Sequence, residues 1–397
     1  MNMTRPADID QSNPFRLPDP TFLTQDLLML REQVTRFVVC EIVPHAEGWE
    51  REGKIPRELF LKLGEMGLLG MQHPEAYGGT ELGSLASVVF GEELSRSTFG
   101  GVTAAVTVHT DMSASHISRV GTEDQKARFL PGIIAGRDVC AVGVTEAGAG
   151  SDVAGLRTKA VRDGDDWVIN GTKMFITNAV YGQIVILGAR TDAPETGAHG
   201  ISLFIVPTDT PGFRVASKLD KHGWLCSDTA ELVFENMRVP HANLLGQENR
   251  GFHAIMQGFE HERLMIGAFC AGEGARAIEL TLDYVRTRQA FGKSLWAQQA
   301  TRQRLADLAS KVAMIRALTY QTAAMKDAGL PVSRETAMIK SVGPEILHEV
   351  VHGCLQLHGG TGYMRGTPIE RMARDARILR IGGGATEVML EEVAKRM

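Results

Sequence analysis

Two groups of residues have the types and spacing for chemistry. Ile255, Phe259, Ile266 and Phe269 recur at helical spacing, and Glu262 falls on their stripe, seven residues after Ile255 and three after Phe259. Apolar surroundings disfavour the charged form of a carboxylate and raise its pKa, which makes a base strong enough to take a weakly acidic carbon-bound proton. The competing reading is a glutamate at the edge of the stripe, paired with Arg263 or another cation, and periodicity alone favours it. The second group lies in Val139 to Asn178. A run of small and β-branched residues, Val139 to Val144, suits a buried strand and ends at Thr145 before Gly148, Ala149 and Gly150. Bare backbone there lets N–H groups approach a phosphate or the edge of a flat ring, and Thr145 and Ser151 add hydroxyls. A tight strand-to-strand loop without a ligand is the alternative for the glycines alone.

Neither common phosphate loop fits. A P-loop needs Gly-Lys-Ser/Thr opening a helix, but Gly150 is followed by Ser151-Asp152; the dinucleotide fingerprint would place its third small residue at Val153. The chain beyond the loop is β in pattern. Arg157 to Arg162 alternates, Asp163-Gly164 turns, Trp167 to Asn170 runs apolar, Asn170-Gly171 turns again, and Met174 to Thr177 returns, so the loop sits on an antiparallel β domain.

A third pattern competes for chemistry of another class. His348-Glu349-Val350-Val351-His352 is a literal H-E-x-x-H zinc-hydrolase signature, with His358 beyond it. In the extended motif a glycine three residues after the second histidine breaks the helix; here that residue is Leu355, the helix continues, and His358 turns away from the other two. No metal site is expected. His109 and His116, on one helix face, read as ordinary core or surface residues, and Arg286, Arg288, Lys293, Arg302 and Arg304 as a solvated basic face unless an anion gives them a purpose.

The elements that must position these residues fall into three blocks. A chain of 397 residues, 44% of them hydrophobic, supports two or three domains with large cores. Residues 1–20 are Pro- and Asp-rich and expected to be poorly ordered. A helical domain spans 21–138, with helical patterns over Phe22 to Val43, Leu59 to Gly67, Leu82 to Ser97 and Val102 to Val120, and with a Thr122/Gln125 capping box opening Glu123 to Ala135. Period-two segments succeed it over 139–245: Gln183 to Arg190, Gly200 to Pro207, Phe213 to Ser217 and Ala230 to Val239 join those around the glycine loop, suggesting a small antiparallel barrel or sandwich. Long helical patterns return over 246–397 at Phe252 to Arg286, Ala300 to Asp327, Ser333 to Leu357 and Glu387 onward, as in a bundle. A net charge of -5 argues against a general nucleic-acid binder. Five scattered cysteines without a C-x-x-C pair suit a reducing compartment, and the lack of a signal peptide or a spanning apolar run points to the cytoplasm and away from a membrane.

Several long segments, in order from roughly Phe22 to the C-terminus, resemble the acyl-CoA dehydrogenases: VTEAGAGSD, NGTKMFITN, CSDTAELVFENMRVP, RTRQAFGKSL, LQLHGGTGYM and RMARDARI. The resemblance implies an α+β fold of N-terminal all-α domain, middle antiparallel β-barrel and C-terminal four-helix bundle, with non-covalent FAD and a homotetramer built as two dimers. Thr145 and Thr177 match threonines that hydrogen-bond the flavin ring, and Ser151 a serine near the pyrophosphate and the thioester arm. Phe175 stands where a tryptophan often lies near the flavin and the route to the electron acceptor. Arg288, Phe291 and Gln299 match residues a neighbouring subunit offers to FAD, and Gln356, Gly359 and Gly360 match another such contact. Thr386 and Glu387 match cofactor contacts after the C-terminal loop, where Ala385 replaces the family's threonine and removes one hydrogen bond.

The family carries its catalytic glutamate at one of two positions. The commoner one, near the C-terminus, corresponds here to Gly383 in IGGGATE; the isovaleryl and long-chain members carry it where FEHER has Glu262. Periodicity and resemblance thus converge on Glu262. Glu260 and Arg263 match positions near the CoA arm and the active-site wall, the Gly383 N–H matches a group that polarises the thioester carbonyl, and Gly382 with Gly383 leaves room for a long or branched acyl chain. The implied reaction is dehydrogenation of an acyl-CoA thioester to the trans-2-enoyl form, with electron-transferring flavoprotein as acceptor. An acyl-CoA oxidase and a non-catalytic flavoprotein of the same fold are the alternatives.

Overall fold

The computed structural model describes Phe15 and residues 17–397. The first block is helical: α1 (Gln25–Phe37), α2 (Ala46–Glu52), α3 (Arg57–Glu65), α4 (Gly83–Ser95), α5 (Gly100–Thr107), α6 (Ser115–Val120) and α7 (Glu123–Ile134). The Thr122 hydroxyl accepts from Gln125 N at 3.2 Å and the Gln125 side chain accepts from Thr122 N at 3.1 Å, the expected capping box. Two expected helices contain π turns. Val38–Ile42 widens the end of α1 before Pro44, and Val108–Ala114 separates α5 from α6. The expectation of poor order over 1–20 lies mostly outside the described residues; within that span, the Pro18 carbonyl accepts from Arg316 at 2.7 Å and Asp19 pairs with Arg31 and Arg316.

The middle block is one sheet of β1 (Cys140–Gly143), β2 (Lys159–Asp163), β3 (Asp166–Thr177), β4 (Ile184–Arg190), β5 (Ile201–Pro207), β6 (Phe213–Lys218), β7 (Thr229–Pro240) and β8 (Leu244–Leu245). Its order is β6-β7-β3-β2-β4-β5-β8, with β1 also on β4. The expected closed antiparallel barrel is therefore corrected to an open, mixed sheet. β1 runs parallel to β4 because the glycine loop and the β2–β3 hairpin intervene, and so long a connection returns the chain in the same direction. Every residue of β4 is buried, as expected for a strand covered on both faces.

The second correction concerns Asn170-Gly171. It is not a turn, because β3 runs unbroken across it and pairs with the equally long β7, slipping register between Ile169 and Gly171. Gly171 is required by close approach: a Cβ there would lie 2.7 Å from the Cα of Thr158. A second slip, between Lys173 and Ile176, turns Phe175 out of the sheet.

The last block opens with α8 (Gly251–Thr287), 37 residues and about 55 Å long. A hairpin of β9 (Gln289–Ala290) and β10 (Lys293–Ser294) leads to α9 (Gln299–Asp327), α10 (Ser333–His358), α11 (Pro368–Asp375) and α12 (Thr386–Ala394). α8, α9 and α10 pack on one another, the short α12 packs on α10, and α4 of the first block covers α8 and α9. That shared surface explains why α4 is buried almost all round. All five cysteines are free thiols, and among the described residues no helix is long and apolar enough to cross a membrane.

Candidate active site

Glu262 lies on the buried face of α8, 6% exposed. Burial pushes its pKa up to about 7, against the opposing pull of Arg263 and Lys340. The edge-paired alternative does not hold, since the Arg263 guanidinium sits over the Phe259 ring, 5.6 Å from its centroid. What faces the carboxylate is the loop before α12. Gly383 has φ +70°, and a Cβ there would lie 2.8 Å from Glu262 Oε1 and 2.9 Å from Ile266 Cδ1. Only glycine fits both the conformation and the space. At Gly382 an added Cβ would meet only the Ile378 carbonyl, at 3.7 Å, so the neighbouring volume is open.

The glycine loop is braced on one side and bare on the other. Met174 N donates to the Thr145 carbonyl at 2.9 Å, which ties the end of β1 to β3. Beneath this contact the buried Lys173 donates to the Val144 carbonyl at 3.0 Å and to Glu146 at 2.7 Å, while Glu146 accepts from Arg157 N and Thr158 N at 2.7 and 2.9 Å. Burial draws Lys173 down to about 8; at Glu146 burial acts upward but is outweighed by Lys173 and the hydrogen bonds, leaving its pKa below the usual carboxylate value. Above, Gly148 and Gly150 face open space, with nothing within 4 Å of where a Cβ would stand. Thr145 and Thr177 are half-buried, Ser151 is exposed, and Phe175, at φ +64°, is 65% exposed beside them. A strained, solvent-facing aromatic at a bulge suits a ligand platform.

The other candidates gather far from Glu262. Arg288, Phe291 and Gln299 belong to the β9–β10 hairpin region, and Phe291 at its tip is 96% exposed with φ +54°. Gln356, Gly359 and Gly360 adjoin it, because the His358 ring stacks on Tyr284 at 4.3 Å and the Tyr284 hydroxyl donates to the His358 carbonyl at 3.2 Å. At 1.5 Å per residue of α8 this cluster is about 40 Å from Glu262, so one chain does not bring them together. Thr386 opens α12 with its hydroxyl 3.4 Å from Glu345, close to the Gly383 loop, and Glu387 is exposed. Glu260 points away from Glu262 toward Ser333, whose hydroxyl donates to it.

The zinc signature is taken apart by its surroundings. His348 and His352 lie 4.2 Å apart by ring centroids, but Glu349 is bound by Lys311 at 2.7 Å, and His358 is committed to Tyr284 and, at 3.2 Å, to Thr281. His109 is a satisfied core residue. Its Nδ1 accepts from Cys140 N at 3.0 Å and its Nε2 faces the Ile133 carbonyl at 3.1 Å, while burial pushes its pKa down to about 3. Sequence reasoning missed Lys173 and Glu146, whose only signal was a lysine at an inward strand position. It also missed Asp111, which the π turn brings within 2.7 Å of His261 on α8, and Lys340, buried on α10.

Comparison with known proteins matches this architecture throughout. Residues 24–137, 141–237 and 249–397 match the families described as acyl-CoA dehydrogenase N-terminal, middle and C-terminal domains. The long-chain specific acyl-CoA dehydrogenase of Rattus norvegicus mitochondria is 39% identical over 370 residues, 93% of this chain and 86% of that one. An acyl-CoA dehydrogenase of Bacillus subtilis (strain 168) is 37% identical over 373 residues, 94% of this chain and 98% of that one. Among solved structures, the acyl-CoA dehydrogenase from Geobacillus kaustophilus superposes with a TM-score of 0.91 at 36% identity, covering 95% of this chain and 99% of that one. A glutaryl-CoA dehydrogenase from Mycobacterium smegmatis in complex with FADH2 gives 0.89 at 31% identity, covering 94% and 95%. By its three matching domains and its end-to-end relatives, the chain belongs to the acyl-CoA dehydrogenase family, FAD-binding oxidoreductases that act on CH–CH bonds.

Proposed function

We propose that this enzyme removes the α and β hydrogens of a long or branched acyl-CoA thioester to give the trans-2-enoyl thioester, with Glu262 as the base. The observation that carries the reading is a buried, desolvated carboxylate facing Gly383, its Oε1 only 2.8 Å from where a Cβ on that residue would stand. The family's other position for the base is occupied here by that glycine, which has no side chain to accept a proton. Glu262 takes the α-proton, and the Gly383 N–H polarises the thioester carbonyl that makes the proton acidic. The open volume at Gly382 supports a substrate with bulk near the reacting carbons. Ser151, Glu260 and Arg263 are assigned to the CoA arm and the pocket wall.

The residues present fit FAD. Bare backbone at Gly148 and Gly150, hydroxyls at Thr145, Ser151 and Thr177 and the outward Phe175 form a cradle on the sheet edge, and the Lys173–Glu146 pair keeps that edge rigid. FAD bound there supplies the acceptor for the β-hydrogen as hydride. Arg288, Phe291, Gln299, Gln356, Gly359 and Gly360 lie too distant to serve their own chain, which supports their completing the site of a neighbouring copy in a dimer of dimers, whereas Thr386 and Glu387, next to the Gly383 loop, are assigned to cofactor contacts there. Phe175 leaves a solvent-facing edge for delivery of electrons to electron-transferring flavoprotein. Domain limits of 21–138, 139–245 and 246–397 are assigned from the changes of period.

The test is anaerobic bleaching of the flavin by a panel of acyl-CoAs of different length and branching. A wild-type protein bleached by none of them overturns the reading. Turnover with oxygen that matches turnover with an artificial acceptor would make the enzyme an oxidase instead.

A further inference from the structure

Lys340 has no part in the reaction as described, yet it is 0% exposed on α10 and sits at the centre of the site. Its Nζ donates to the Gly384 carbonyl at 2.6 Å. Its Cε is 3.4 Å from the point where a Cβ on Gly383 would stand, and Glu262 Oε1 is 2.8 Å from the same point. Lys340 from α10 and Glu262 from α8 therefore flank one residue. That residue belongs to Gly382-Gly383-Gly384, whose last two members sit at φ +70° and +109°. Three successive glycines leave the backbone as free as a chain allows, so the loop needs an external anchor to stay against the base. A charge-assisted hydrogen bond from a side chain locked in the core is such an anchor.

We propose that Lys340 is a positioning residue for the dehydrogenation, pinning the glycine loop through the Gly384 carbonyl and stabilising the ionised, proton-accepting form of Glu262. The inference rests on Glu262 being the base. The charged groups facing Glu262 are Arg263 on α8 and Lys340 on α10. Arg263 is also drawn on by Glu392 and Glu260 and repelled by Arg396, whereas Lys340 faces Cys270, Glu262, Arg263 and Glu345. Burial draws Lys340 down to about 8, so it stays protonated where Glu262 begins to ionise. Removing the ammonium leaves burial opposed by Arg263 alone, and the carboxyl must then titrate at higher pH.

Two variants separate the two roles. Lys340→Met removes charge and hydrogen bond at similar volume; Lys340→Gln removes the charge and keeps a donor. In both, stopped-flow flavin reduction at saturating acyl-CoA should show an acid limb moved up by about one pH unit, and so a roughly fivefold slower reduction at pH 7 that recovers toward pH 9. The high-pH plateau should fall further in Lys340→Met than in Lys340→Gln, because only the former frees the loop. An infrared titration of the Glu262 carboxyl in the FAD-loaded, substrate-free protein, assigned by its disappearance in Glu262→Gln, should move with the acid limb. An unmoved carboxyl titration in both variants overturns the proposal, whatever happens to the rate, since a merely structural lysine would slow all pH values alike. Normal bleaching in Glu262→Gln sinks the base assignment instead, and the two failures are distinguishable.

Discussion

Glu92 and Glu262 are buried to nearly the same depth, 4% and 6% exposed, and could hardly differ more in what burial does to them. Glu92, on α4, is enclosed by Arg31 Nη2 at 3.1 Å, Arg316 Nε at 2.5 Å and the Tyr320 hydroxyl, with Asp19 beyond the arginines. Burial acts to raise its pKa, but the two guanidiniums and the hydrogen bonds outweigh it and hold the carboxylate below its ordinary value. Glu262 has cations nearby but not in contact, and burial wins. A carboxylate whose oxygens are all taken holds two domains together; one left without a partner beside a bare backbone can accept a proton. Depth alone does not distinguish structural from chemical use of a charge. Occupied hydrogen-bonding positions mark the structural carboxylate, and an unoccupied one is open to chemistry only where it also faces a site such as the Gly383 loop.

The strongest way to break this contrast is at Glu262, the proposed base. Glu262→Gln keeps size and shape but cannot take the α-proton, and general-base loss typically costs about 10²–10⁴-fold. Flavin reduction should fall in that range, with FAD content and acyl-CoA binding retained; near-normal reduction would place the base elsewhere. The converse variant, Glu92→Ala, strands Arg31 and Arg316 in the interior and should cost about 3–5 kcal/mol of stability, read by denaturant unfolding, with the rate per bound flavin retained. A loss of less than about 1 kcal/mol would show that the ion cluster is dispensable to the interface.

A pH series sharpens the same comparison. Because the folded pKa of Glu262 is raised, its favourable contribution is present at acid pH and lost as pH rises through about 7, so Glu262→Gln should gain stability relative to wild type at pH 8 over pH 5. Because that of Glu92 is lowered, its contribution is present above the unfolded carboxylate range and lost as pH falls, so the penalty of Glu92→Ala should shrink toward acid. Parallel curves for the two variants would refute the contrast. The smallest effect is expected at Glu273, which is buried on α8 with both carboxyl oxygens lacking partners and a pKa pushed well up by burial, then by Asp375. A neutral acid replaced by an amide changes little. Glu273→Gln should stay within roughly 1 kcal/mol and reduce flavin at the wild-type rate; a large loss would mean that this orphaned carboxyl also has a role in the reaction or the fold.

Much of this was legible in the order of residues. Of the stripe on α8, Ile255, Glu262 and Phe269 are buried and Phe259 and Ile266 half-buried, and its charged member is left without an ion pair among the described residues. The three blocks, the capping box at Thr122 and most strand limits derive from period and turn chemistry, which are local properties. Asn170-Gly171 misled because its dipeptide signal is a hairpin signal only when the flanking strands must part, and here β7 is long enough to pair with both sides.

The sequence by itself determined which segments are helix or strand, where a desolvated glutamate would face inward, and which loop has bare backbone, because each depends on residues within a few turns of one another. Only the tertiary structure decided that the sheet stays open and mixed, that Glu92 is held ionised between two arginines while Glu262 is not, that Lys173 braces Glu146, and that Lys340 reaches the Gly383 loop. Those contacts join residues far apart in the chain, and the strength of a buried charge depends on what lies within a few ångströms of it, which the folded packing alone sets.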